Sequence, residues 1–103
     1  MADDVNKITV TVDRDLEELI PEFLELTRND IASMSDALGK GDFDTVRTLG
    51  HTMKGSGGGY GFDFLTEIGA KIEQFAKTKT GEQIGPLIEK LQRYLEQVNI
   101  VYE

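Results

Sequence analysis

Hydrophobic positions recur at helical spacing along most of this chain. Ile20, Phe23, Leu24, Ile31, Met34 and Leu38 are separated by three, four or seven residues, the stripe of an amphipathic helix. Pro21 suits a first helical turn, so the pattern predicts a short helix at about 13–20 and a longer one from about 21 to 38. Gly39-Lys40-Gly41 is a stop signal, and Asp42 is a good N-cap for a next helix carrying Val46, Leu49 and Met53. A glycine-rich segment, Gly57-Gly58-Gly59-Tyr60-Gly61, follows. Asp63 is placed to cap a third long helix with Phe64, Leu65, Ile68, Ile72 and Phe75 on one side. Thr78 to Gly81 reads as a turn. The last helix carries Ile84, Leu87, Ile88, Leu91, Leu95 and Val98, and Pro86 marks its first turn.

Four amphipathic helices with short connections predict an all-α fold, an antiparallel four-helix bundle running up-down-up-down. The N-terminus differs. Residues 1–7 read as a disordered tail. Ile8, Val10 and Val12 then alternate with Thr9 and Thr11, as in a strand. No second strand is apparent, so this segment is expected to be an extended arm lying on the bundle. The expected division is residues 1–12 for tail and arm, and 13–103 for the bundle with its extra short helix.

Composition narrows the function. The formal charge of −8 disfavours nucleic acid and membrane surfaces as partners. No apolar run approaches the roughly 18 residues of a membrane span, and the MADDVNK start does not resemble a secretory signal. There are no cysteines, hence no disulfide or thiolate metal site. A cytoplasmic monomer, or a soluble piece of a larger protein, is expected.

The single histidine, His51, is the notable chemical feature. At about 100° per residue, Val46, Leu49, Met53 and Tyr60 fall within about 40° of the direction opposite His51. They define the core stripe and put the imidazole near the centre of the solvent face. Arg47, Thr48, Lys54, Gly55 and Gly58 project within about 60° of it. Lys54, one turn on, can approach the ring, disfavour a charged imidazolium and attract anionic oxygens. Glycine in an exposed helix costs about 0.5–1 kcal/mol relative to alanine. Gly55 and Gly58 therefore suggest bare backbone kept for another protein's close approach, although Gly57 to Gly61 also suit an ordinary helix end. Ser56 and Gly57 lie on the core side, where small residues admit a neighbouring helix.

Other chemistries lack their residues. The lysine precedes the glycines, against a Walker motif, and Tyr60 breaks G-x-G-x-x-G. A di-iron bundle needs E-x-x-H pairs, but Thr48 stands at that position. One histidine without cysteine makes zinc improbable. Ser33 and Ser56 have no cleft for a triad, and the carboxylates read as solvated faces. No metal or cofactor site is expected.

The segment His51-Thr52-Met53-Lys54-Gly55-Ser56-Gly57-Gly58-Gly59-Tyr60-Gly61 resembles the signature of histidine-containing phosphotransfer (HPt) domains: H-x-x-K-G, small residues, an apolar residue, then glycine. Phe23 to Leu38 with Gly41-Asp42-Phe43 resembles the helix and turn before the phosphorylated helix of that family, and Ile68, Ile72 and Glu73 the helix after it. The resemblance covers roughly residues 13–100. It implies that His51 is phosphorylated, Lys54 steadies the phosphoryl group, Gly55 clears space for a partner loop, and Gly61 serves helix packing. It also implies a phosphocarrier without a nucleotide site of its own, partnered by response-regulator receiver domains, which would hold the Mg²⁺, and by a histidine kinase. The uninterrupted Gly57-Gly58-Gly59 departs from the family pattern and predicts a looser or earlier helix end. His51 to Gly55 and Gly61-Phe62 are also similar to the phosphorylatable domain of chemotaxis histidine kinases. The alternatives are therefore a histidine domain of a multidomain (chemotaxis-type or hybrid) kinase, or a receiver-binding module that is never phosphorylated.

Overall fold

The computed structural model describes residues 8–103; the tail expected at 1–7 lies outside them. In chain order the elements are strand β1 (Ile8–Val12), a 3-10 turn (Arg14–Leu16), helix α1 (Ile20–Gly39), helix α2 (Phe43–Gly57), a second 3-10 turn (Gly58–Tyr60), helix α3 (Asp63–Lys77), helix α4 (Gly81–Gln97) and strand β2 (Val98–Tyr102). The protein is mostly helical, and its four helices pack as a bundle in which α1 touches α2 and α4, and α3 touches α2 and α4.

The helix limits follow local chemistry. Pro21 sits in the first turn of α1. Gly41 takes φ +72°, a left-handed conformation that reverses the chain after α1. Asp42 caps α2: its carboxylate accepts from the Thr45 backbone N–H at 3.2 Å and the Thr45 hydroxyl at 2.6 Å, and these bonds hold it below the usual carboxylate range.

The core is one cluster. Val46 and Met53 of α2, Ile31 and Met34 of α1, Leu65 and Ile72 of α3, and Ile84 and Leu91 of α4 are all buried. Each such side chain contributes about 1.5–3 kcal/mol by leaving water. Phe23 of α1 stacks on Tyr60 at 4.3 Å and Phe62 at 5.5 Å, which ties α1 to the segment after α2.

Five expectations change. The arm is a true strand: β1 pairs in parallel with β2, in the register Ile8↔Val98 to Val12↔Tyr102. The ladder continues where Glu103 N–H donates to the Val12 carbonyl at 3.1 Å. Val98, assigned to the last helix, begins that strand, because Val98, Ile100 and Tyr102 alternate with more exposed Asn99 and Val101. The helix expected at about 13–20 is a single 3-10 turn capped by Asp13. Pro86 lies inside α4, which starts earlier, at Gly81; the glycine before it eases the clash that proline makes with a preceding side chain. Asp63, finally, is the first residue of α3 and not its cap, which is Phe62.

Candidate functional site

α2 turns one stripe toward the core and the opposite stripe outward. Val46, Gly50, Met53 and Gly57 are buried, while Arg47, Thr48, His51, Lys54 and Gly55 are exposed. The His51 side chain is 67% exposed. Leu49 and Tyr60 are half-buried, at the edge of the stripe.

The close neighbour of α2 is α3, and glycines set the distance between them. A Cβ on Gly50 would stand 3.0 Å from the Glu73 backbone nitrogen and the Gly69 carbonyl oxygen. One on Gly69 would stand 2.7 Å from the Lys54 backbone nitrogen and 2.8 Å from the Gly50 carbonyl oxygen. One on Gly57 would stand 2.9 Å from Leu65 Cβ. The two backbones touch where side chains would otherwise hold them apart.

This approach delivers Glu73 to the exposed face. Glu73 has a side chain only 10% exposed, and its Oε2 lies 3.0 Å from His51 Nδ1. Its Oε1 lies 3.0 Å from Lys54 Nζ, and the Lys77 ammonium is 4.0 Å from Oε2. The Lys54 hydrogen bond, with a smaller contribution from His51, outweighs burial and holds the Glu73 carboxyl below its ordinary range. An ionised carboxylate only accepts, so the proton of this bond belongs to Nδ1. In the neutral ring that tautomer leaves the Nε2 lone pair free, and Nε2 has no hydrogen-bond partner among the described residues. The site is an oriented nucleophilic nitrogen on an exposed ring.

The Lys54 ammonium binds the same carboxylate that the ring binds, through the other oxygen. Thr66 of α3 fixes the helix end nearby. Its hydroxyl donates to the Lys54 carbonyl at 3.0 Å and accepts from Gly58 N–H at 2.7 Å. Gly58 therefore serves the end of α2, which stops at Gly57, and a Cβ there would stand 3.4 Å from the Thr66 hydroxyl. Gly55 differs: nothing stands within 4 Å of its missing Cβ. Gly61, expected to serve helix packing, is instead a left-handed cap at φ +92°, whose N–H donates to the Gly58 carbonyl at 3.1 Å. Arg47 and Thr48 lie on the His51 face, with the Thr48 hydroxyl donating to the Asp44 carbonyl at 3.0 Å.

Sequence reasoning missed Glu73 as a functional group, together with Gly50, Gly69 and Thr66. One signal was available. Leu65, Gly69, Ile72 and Ala76 form the buried stripe of α3, and Glu73 lies within it. A carboxylate in an apolar stripe asks for a partner.

The family model for the Hpt domain matches residues 18–99, and the chain belongs to that family. Hpt domains carry out histidine phosphotransfer in phosphorelays. They are phosphocarrier modules and not classical enzymes, and they interact with receiver domains and kinases. No curated protein and no solved structure matches the chain. Among the described residues, no helix is long and apolar enough to cross a membrane.

Proposed function

We propose that this protein is a phosphorelay intermediate that accepts a phosphoryl group on Nε2 of His51 from a receiver aspartate and passes it on. The observation that supports this best is the exposed imidazole whose Nδ1 is held by a nine-tenths buried carboxylate. The Nε2 lone pair attacks the phosphorus of the acyl phosphate as the bond between phosphorus and the aspartate oxygen breaks, and the aspartate leaves as a carboxylate. The N–P bond takes the place of the P–O bond, and the reverse step returns the group. Glu73 fixes the tautomer and steadies the Nδ1–H as positive charge develops on the ring. Lys54 stands beside the ring, ready to hold phosphoryl oxygens. Positioning and electrostatics supply most of what this reaction asks of a protein.

The open space at Gly55 gives a receiver loop its approach, with Arg47 and Thr48 at the rim of the docking face. The chain needs no cofactor, and Mg²⁺ belongs to the receiver. Short connections make successive helices antiparallel, and the protein acts as a cytoplasmic monomer. The same site would serve equally within a larger histidine kinase, a reading favoured by the likeness of His51 to Gly55 and Gly61-Phe62 to chemotaxis kinases. Transfer from a purified receiver as against a kinase domain separates the two.

The test is His51→Gln. Incubation with phosphorylated receivers should label the parent chain at position 51 by mass spectrometry and leave the variant unlabelled, with an unchanged circular dichroism spectrum. Retained labelling in the variant rejects the assignment.

A further inference from the structure

Lys54 has two anions to serve, and one is already bound. Its ammonium lies 3.0 Å from Glu73 Oε1. Under the proposed function, on which this inference rests, the same ammonium turns to the phosphoryl group on Nε2. Glu73 is nearly buried, and a buried carboxylate stripped of its counter-ion is costly. The departure of Lys54 would therefore weaken Glu73 just when it must hold the phosphorylated ring by Nδ1.

A second cation is already in place. Lys77 stands one turn after Glu73 on α3, with its ammonium 4.0 Å from Oε2, the oxygen that binds His51. Its side chain is 53% exposed, so its flexible stem is free to move. At that distance and exposure it adds little in the resting state. We infer that Lys77 is a positioning residue that takes over the Glu73 carboxylate when Lys54 turns to the phosphoryl group. Its effect then falls on the phosphorylated form and not on the fold.

Lys77→Met keeps most of the stem and removes the charge. It should shift the equilibrium between phosphorylated His51 and phosphorylated receiver toward the receiver by about 2- to 5-fold, the scale of a partly exposed ion pair, and Lys77→Arg should restore it. In a Glu73→Gln background no carboxylate needs a counter-ion, so Lys77→Met should have no effect there. An unchanged equilibrium in the parent background overturns the exchange. So does an equal shift in both backgrounds, because Lys77 would then act on the phosphoryl group or the receiver directly.

A second measurement needs no phosphorylation and so separates failure of this inference from failure of the proposed function. In Lys54→Met protein, nitrogen NMR of the His51 ring should still show the Nδ1–H tautomer, with Lys77 now on Glu73. In Lys54→Met/Lys77→Met protein that preference should fall. Equal tautomer populations in the two variants overturn the inference even if His51 proves never to be labelled.

Discussion

The two faces of α2 use glycine for opposite reasons. On the inner face, Gly50 and Gly57 meet α3 at backbone distance, and an added Cβ would lie 2.9–3.0 Å from atoms of that helix. On the outer face, Gly55 has nothing within 4 Å. The inner glycines are structural, since without them α3 could not bring Glu73 to the ring. The outer glycine has no packing reason, and its value lies in what it leaves open beside His51. Residue type alone does not distinguish the two; the neighbouring helix does.

The strongest way to break this comparison is on the inner face. Gly69→Ala would place a Cβ 2.7 Å from the Lys54 backbone nitrogen, and neither helix can yield without moving backbone. The expected loss is roughly 3 kcal/mol, read from the urea midpoint. The His51 tautomer should be lost as well, because Glu73 moves away with α3. A variant of unchanged stability would mean that the seam is looser than these contacts imply.

Next comes the carboxylate the seam delivers. Its pKa in the folded protein is below the ordinary value of 4.5, chiefly because Lys54 binds it. A lowered carboxylate pKa contributes stability that is present above the unfolded value and lost as pH falls through the folded one. The stability of the parent relative to Glu73→Gln should therefore hold steady from pH 7 to about 5 and decline below about 4.5. Denaturation curves across that range check it, and a difference independent of pH would show that Glu73 is not held ionised by its partners. Asp42, also lowered by its Thr45 bonds, contributes equally to both proteins and cancels.

These contrasts also mark what could be read from the chain alone. The exposure of His51 and the placement of Lys54 and Gly55 on its face depend on one period within one helix, and that period is written in Val46 and Met53. The Glu73 contact depends on the distance between two helices. That distance is set jointly by Gly50, Gly57 and Gly69, of which only Gly57 was recognised as small for packing. The β1–β2 ladder was illegible for a related reason. Val98 to Tyr102 is a short alternating run directly after a helix, and its partner strand lies at the other end of the chain. Local pattern reports local geometry, and both omissions are pairings between distant segments.

A smaller effect is expected where the seam meets the end of α2. Thr66→Val keeps the shape of the side chain but removes the hydroxyl that serves both the Lys54 carbonyl and Gly58 N–H. Water can reach this surface, so the loss should be about 1 kcal/mol, read from the same urea midpoint. A larger loss would place the hydroxyl in the core of the seam and not at its edge.

The outer face supplies the smallest effect on stability and the clearest opposition between stability and transfer. Gly55→Ala adds a methyl group where nothing stands within 4 Å, in the last turn of α2. Alanine favours the helix by about 0.5–1 kcal/mol over glycine, so the variant should be slightly more stable than the parent. Phosphotransfer from a receiver should nevertheless slow, because the methyl group occupies the space beside His51 that a docking loop needs. Thermal melts and transfer time courses on the same preparation check both halves. A variant that gains stability and transfers at the parent rate would show that the open backbone at Gly55 does not serve docking, whereas a loss of stability would mean that the outer face, like the inner one, already has a neighbour.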